Sequence, residues 1–539
     1  MPSNLLTTNV TWSSAINANS ISSLTTAHSV LAVVLGSIIA TYVFFGALLR
    51  LTQDAKEPAL VSTSIPFLSP ILGMARWNMG FYLHMRDKYP SLPIYTLRLP
   101  GVRLYIVNST NLIPVIQRQW RTLLFPPVTV RASEAAMGGS KEAIDIMCQD
   151  MVTEKGFLPG LIKVVHPSLA AGPTLHELNG KAVEAITRSF DKLVSSGVTK
   201  VKMFDWVRRE LLLATTNGVY GTYNPLRDPQ NREAWHKFHP TIMFLMLDLL
   251  PHWVFRSGIQ GREHLANSFA QYQSEGKFNT GSTFIQRWQK HFTSRGIPER
   301  DIGRFHVGGM FALVANTIPT AFWAIYRILS DPSVLEDCRE EVSHAVEENN
   351  GVCTINSKYI KNSCPTLIST FQEVLRFHGM GNSVRVAAED HILDGKYLIK
   401  KGGMIMIPSR VQHRIRDVWG PDVDVFKHRR FIRKPGVERP NPVAFRGFGG
   451  GTTLCPGRHF ATNEILLFAA MLLLRFDVYP VGGRWITPTV ENSSQAEAME
   501  QPDNDLDIEL HPRPGADKIW RVSFGSNEEA ALVAEDIQQ

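Results

Sequence analysis

Cysteine is scarce in this chain of 539 residues: Cys148, Cys338, Cys353, Cys364 and Cys455 stand far apart, and no two form a C-x-x-C pair. That argues against a disulfide framework, a zinc site or an iron–sulfur cluster, and it places the bulk of the chain in a reducing compartment. Runs of like charge are missing as well. Lys plus Arg number 56 against 49 Asp plus Glu, a dispersed net charge of +7 with no run of five like charges, so no nucleic-acid arm is expected. No internal repeat or low-complexity linker divides the middle, which argues for one large domain with a short appendage. Residues 1–28 contain neither Lys nor Arg.

That last absence bears on residues 29–49 (SVLAVVLGSIIATYVFFGALL), which carry no formal charge. About 20 helical residues suffice to cross a bilayer, and a signal peptide would have a basic leader and a shorter apolar run. The expectation is a single transmembrane anchor at 29–49. Arg50 and Lys56 follow the span and nothing basic precedes it, so the positive-inside rule puts residues 1–28 in the lumen and the large domain in the cytosol. Asn9, in Asn9-Val10-Thr11, then becomes a candidate glycosylation site. Residues 50–75 contain Pro58, Pro66 and Pro70 and read as an extended, semi-rigid hinge.

Residues 92–107 alternate apolar and polar positions around Pro100-Gly101, as a two-stranded ribbon does, and from about 110 to 345 the apolar spacing is mostly helical. A mainly α domain with a small β region follows, over residues 76–525, ahead of an acidic tail at 526–539. Residues 241–255 (TIMFLMLDLLPHWVF) are too short to span a bilayer and read either as core or as a lid dipping into the membrane face. The longest helical pattern, residues 299–330, contains Pro319, which has no N–H for the carbonyl of Ala315. A kink with a polar notch beside Asn316 and Thr317 is expected, able to hold water or dioxygen; a satisfied core amide is the plainer reading of Asn316. Residues 365–379 begin with a proline suited to a first turn and end on Gly379 as a cap, with Glu373 and Arg376 on one face. Arg430, between Phe426 and Phe431, can join them in a buried salt network. Residues 384–407 alternate like strands joined by turns at Asp394-Gly395 and Gly402-Gly403.

Near the C-terminus, Phe448-Gly-Gly-Gly451-Thr-Thr-Leu-Cys455-Pro-Gly457-Arg458-His-Phe-Ala461 delivers a lone cysteine to the start of an apolar helical pattern. Glu373-x-x-Arg376, then Arg430, then Phe448-x-x-Gly451-x-x-x-Cys455-x-Gly457 stand in that order, and the set resembles the cytochrome P-450 superfamily of haem-thiolate monooxygenases. The Asn-Thr-Ile-Pro stretch is similar to the branch holding sterol 7α- and 12α-hydroxylases and prostacyclin synthase, and the cysteine loop looks like filamentous-fungal members. The resemblance covers nearly all of residues 29–525.

It implies the superfamily's triangular helical prism around haem b, with Cys455 as the axial ligand of the iron. Phe448, Gly451 and Gly457 would shape the thiolate's loop, and Glu373, Arg376 and Arg430 would hold the fold. It also implies O2 and electrons from an NADPH-cytochrome P-450 reductase, docked where Arg446, Arg458, His459 and Lys427 present positive charge. The activity implied is oxidation of a bulky apolar metabolite, terpenoid or steroid-like, at the endoplasmic reticulum membrane in secondary-metabolite biosynthesis. Two departures qualify it. Thr453 stands where many members have Arg or His for a haem propionate, and Trp120-Arg121 lacks the family's Trp-x-x-x-Arg spacing, which leaves Arg385 as the propionate candidate. Ala315 and Asn316 stand at the acid and alcohol positions of the usual long-helix signature. Asn316 and Thr317 would therefore handle protons differently, and a haem-thiolate isomerase or dehydratase acting on a peroxide is the alternative. Phe125, Met137, Phe244 and Met246 lie in segments that face substrate in the family or belong to the core.

Overall fold

The computed structural model describes residues 18–524, apart from 62–63, 249, 434 and 437–439, with side chains from residue 28 onward. Asn9 and the tail at 526–539 lie outside the described residues.

Hydrophobic patterning at helical spacing dominates the chain, and the structure is accordingly helix-rich with small sheets at its margins. The 92–107 ribbon forms as expected: Ile94–Leu99 pairs antiparallel with Val102–Val107, and Gly101 takes the left-handed backbone (φ 70°) that the turn requires. Three further strands complete a five-stranded sheet, in the order 94–99, 102–107, 404–408, 382–387, 123–124. The Asp394-Gly395 turn joins His391–Leu393 to Tyr397–Ile399, with φ of 55° and 64° at its two central residues.

Ala18–Leu51 is one helix, longer than the expected span, and its apolar part lies outside the packed body: residues 28–51 have a mean hydropathy of 2.3 and none of them is buried. The hinge behaves differently from a free connector. It is laid against the sheet, with Leu398 N–H donating to Lys56 O at 2.8 Å and Thr96 Oγ1 to Pro58 O at 2.6 Å. Buried Glu57 accepts from Tyr105 Oη at 2.7 Å.

The 299–330 pattern resolves into two helices, Glu299–Val314 and Thr317–Leu329, broken at Ala315 and Asn316 where Pro319 withholds its N–H. The 18-residue stretch most apolar in this pair is 67% buried, which marks a core helix. The first of these helices and the two stacked above it approach one another through glycines. A Cβ at Gly303 would fall 2.3 Å from Ala266 O on Arg256–Ser274, and one at Gly261 would fall 2.5 Å from Ala234 O on Pro229–Phe238. No larger residue permits that stacking.

The core reading of 241–255 holds for part of it. Ile242 and Leu245 are buried, whereas Phe244, Leu247, Leu250, Trp253 and Val254 are exposed. Pro365–Phe377 forms as expected, but Gly379 is not its left-handed cap. His378 is the C-cap, and Gly379 is absent from the positive-φ glycines; its missing side chain matters because a Cβ would sit 2.1 Å from Leu375 O.

Candidate haem-thiolate site

The cysteine loop is built by backbone hydrogen bonds that its glycines allow. Gly449 and Gly451 take left-handed φ of 84° and 60°, and Cys455 N–H donates to Phe448 O at 3.0 Å. The turn closes with Leu454 N–H donating to Gly451 O at 3.0 Å. Cys455 is half-buried, and Arg458–Arg475 begins three residues later, so the thiol stands before a helix N-terminus whose partial positive charge favours a thiolate. Gly457 puts no side chain beside the sulfur; a Cβ there would be 3.9 Å from Cys455 Sγ. Phe448 is half-buried, its ring centroid 6.4 Å from that of Phe371. The other cysteines have no part in this loop: Cys338, Cys353 and Cys364 are buried, Cys148 is exposed, and burial raises all four thiol pKa values.

Glu373, Arg376 and Arg430 are brought together. Arg376 Nε and Nη2 each donate to Glu373 at 2.7 Å, and Arg430 Nε reaches both carboxylate oxygens at 3.0 and 3.1 Å. Both side chains of the first pair are fully buried. The remaining donors are also met: Arg376 Nη1 bonds His413 O and Val423 O, and Arg430 bonds Trp419 O, Asp422 and Val425 O. Such saturation is what makes buried charge tolerable.

Two residues that sequence reasoning missed join this network to the loop. His413 Nε2 accepts from Arg446 N–H at 2.8 Å. Gln117, with its amide oxygen turned toward donors, accepts from Gly451 N–H at 3.2 Å and Arg446 Nη1 at 3.0 Å. Each is a lone polar residue far along the chain from its partner, so neither periodicity nor local spacing signals it.

Arg385 lies beside the loop and donates to Val384 O at 2.8 Å and to Thr453 Oγ1. It is buried, and burial alone lowers its pKa, to about 10; among the described residues no carboxylate pairs with it. An anion such as a haem propionate is what this guanidinium lacks. Ala312 gives a second sign of fit, being exposed in the middle of an otherwise core helix. By contrast Arg121 is exposed and stacks on Trp120 at 4.2 Å.

On the kinked pair, Asn316 Oδ1 accepts from Ala498 N–H at 2.7 Å and Thr317 Oγ1 donates to Leu313 O at 3.0 Å. The expected notch thus has fewer uncommitted groups than its composition suggests. Asn316 Nδ2 is left as a donor with no protein partner among the described residues. The expected docking charges also need correction. Arg446 and Arg458 are buried, turned inward by bonds to Gln117 and, at 3.3 Å, to Cys455 O, and Lys427 is paired with Asp422. Of the apolar candidates, Met137 is buried near Gly308 and Phe125 lies 5.6 Å from the Arg385 guanidinium. Met246 is half-buried against the core, and Phe244 faces outward, stacked on Phe255 at 5.4 Å.

Comparison with known proteins agrees with this geometry. The cytochrome P450 family model matches residues 266–504. A cytochrome P450 monooxygenase of Hypoxylon pulicicidum, nodJ, is 33% identical over 506 residues, covering 91% of this chain and 97% of that protein. One of Gibberella zeae is 26% identical over 490 residues, 88% of this chain and 92% of its own. The cholesterol 7-alpha-monooxygenase of Cricetulus griseus is 25% identical over 276 residues, 48% of this chain and 55% of that enzyme. With a glycine-built cysteine loop, a saturated buried salt network and a fungal monooxygenase matching over nearly its whole length, the chain belongs to the cytochrome P450 family of haem-dependent monooxygenases.

Proposed function

We propose that this enzyme hydroxylates a bulky apolar metabolite, terpenoid or steroid-like, with O2 and electrons from an NADPH-dependent reductase. The observation that carries the site assignment is the pairing of Cys455, held at a helix start by glycine-dependent backbone bonds, with the buried Arg385, which has no carboxylate partner among the described residues. Cys455 is the iron ligand in this reading and Arg385 holds a propionate. Bound haem supplies the iron on which O2 is activated. The chain's own residues do the rest. Glu373, Arg376 and Arg430 fix the loop through His413 and Arg446, and Asn316 Nδ2 offers a donor at the kink for relaying protons with Thr317 and water. The cholesterol-directed relative and the exposed Phe244, Leu247, Leu250, Trp253 and Val254 support a greasy substrate and a membrane-anchored, cytosol-facing domain at the endoplasmic reticulum.

Replacing Cys455 with serine should abolish the absorbance band near 450 nm of the reduced carbon-monoxide complex, and retention of that band overturns the ligand assignment. A substrate screen with reconstituted reductase, read by spin-state shifts and products, identifies the metabolite. One observation favours a second reading, isomerisation or dehydration of a peroxide: the Asn316 oxygen and the Thr317 hydroxyl are both spent on backbone groups. Turnover without reductase and NADPH would establish it; no product under those conditions excludes it.

A further inference from the structure

Beside the kink lies a small cavity lined by Ala315, Ile318 and Pro319 on the broken helix, His239 and Trp235 from the segment that ends Pro229–Phe238, Arg208 from Met203–Tyr220, and Gln501. It has room for an ordered water and the polar partners one needs. Pro319 gives no N–H to the Ala315 carbonyl, which therefore has capacity to accept there. His239 Nε2 is buried and makes no hydrogen bond among the described residues; it stands 3.1 Å from Glu497 Oε1 without the alignment of one. Glu497 is itself bonded to Gln501, and the next residue, Ala498, holds the Asn316 amide. The segment from Glu497 to Gln501 thus touches both the cavity and the group at the kink. Arg208, a third exposed and paired with Asp205, forms the solvent side.

We infer that His239 and Glu497 are the titratable pair that feeds protons through this cavity to the kink, in place of the acid that Ala315 displaces from the helix. The inference rests on the monooxygenase reading. Monooxygenation consumes one O2, two electrons and two protons for each C–H oxidised, and yields alcohol and one water. The electrons come from the redox partner, so both protons must come from solvent. In the relay, His239 Nε2–H donates to the cavity water, which passes a proton on toward Asn316. The imidazole is then reprotonated from solvent at the Arg208 side, with the Glu497 carboxylate 3.1 Å away. The other ionisable groups facing it are Arg208, Asp205 and His236, whose pKa is held down to about 4 by burial and then by Arg208. A histidine suits the task because its ring nitrogens can both give and take a proton.

A static clamp between the two segments is the rival account, and it predicts a change in thermal stability alone. His239→Gln, Glu497→Gln and Asn316→Ala are compared with the parent enzyme, reconstituted with reductase, NADPH and air without organic substrate, reading hydrogen peroxide released per NADPH across the neutral pH range. A defective relay raises that ratio several-fold in each of the three variants. If Asn316→Ala raises the ratio while His239→Gln and Glu497→Gln match the parent, the pair is not the relay although the kink is. If Asn316→Ala matches the parent, the proposed role of the kink fails, and a raised ratio in His239→Gln then shows that the pair feeds protons by another way. A crystal structure gives a readout independent of turnover: a water bonded to His239 Nε2 and Ala315 O is expected, and a dry cavity overturns the proposal.

Discussion

His413 Nε2 accepts the backbone N–H of Arg446 at 2.8 Å, while the carbonyl of the same histidine accepts Arg376 Nη1 at 2.9 Å. One residue therefore ties the buried salt network to the cysteine loop, and the tie exists only while Nε2 carries no proton. Burial, followed by the charges of Arg376, Arg446 and Arg414, holds the imidazole well below its usual pKa. An unfolded histidine titrates near pH 6.5. Below that value the unfolded chain takes up a proton that the folded one refuses, so stability falls as pH drops from about 6.5 and is unaffected above it. His378 and His306, held near 4 and 3 by burial, act in the same direction. Melting temperatures measured from pH 7.5 down to 5 should decline, and His413→Gln, which keeps an acceptor, should decline less steeply.

Glu464 produces the opposite dependence. It is fully buried on Arg458–Arg475, with only the Thr215 hydroxyl 2.8 Å from both its oxygens, and burial raises its pKa to about 8. The folded protein keeps a proton that the unfolded chain loses near pH 4.5, so this group withdraws stability as pH rises from about 4.5 to 8. Glu464→Gln resembles the neutral acid. Its melting temperature relative to the parent should climb between pH 5 and 8, and a difference that stays flat with pH would show that the carboxyl is already ionised.

Removing Glu373 leaves two buried guanidinium groups without their shared carboxylate. Glu373→Ala should destabilise the fold by about 3–5 kcal/mol, read by denaturant unfolding, or prevent soluble expression altogether. Arg430→Lys, which keeps the charge but not the fork that spans both carboxylate oxygens, should be milder.

Gly451 is held at φ 60°, and a Cβ there would lie 2.9 Å from the Gln117 side chain. Gly451→Ala should cost about 1–2 kcal/mol from the backbone alone, with haem content reduced at unchanged helicity. Adding Gln117→Ala should relieve the clash and recover part of the loss, read as the ratio of Soret to protein absorbance.

Arg385→Ala removes a buried cation that this reading gives to a propionate. Loss of a charged hydrogen bond of about 1.5–3 kcal/mol corresponds to roughly ten- to hundredfold faster haem transfer to an acceptor apoprotein. A transfer rate equal to that of the parent would mean that Arg385 only braces Thr453.

Signals carried by neighbours in the chain were legible before the structure. The Pro100-Gly101 ribbon, the Glu373 and Arg376 spacing, the break expected at Pro319 and the glycine-rich approach to Cys455 each depend on residues within a few positions of one another. What was misread depends on how the folded backbone places each group, a closeness that neither spacing nor periodicity shows. Arg446 and Arg458 look like surface charge until Gln117 and the Cys455 carbonyl are found beside them, and Gly379 looks like a cap until its closeness to the Leu375 carbonyl is seen. Asn316 belongs to the same class, since its oxygen is claimed by Ala498, 182 residues later.

The strap that follows the N-terminal helix has a mechanical consequence. Thr52 O accepts from Arg103 at 3.1 Å, Asp54 faces Lys400 at 3.5 Å, and Glu57 is locked under Tyr105, so the sheet grips the chain within a few residues of Leu51. A slack leash would let the catalytic body swivel. This joint transmits torque instead, and whatever fixes the axis of the helix also sets which way the sheet, and the body attached to it, will point.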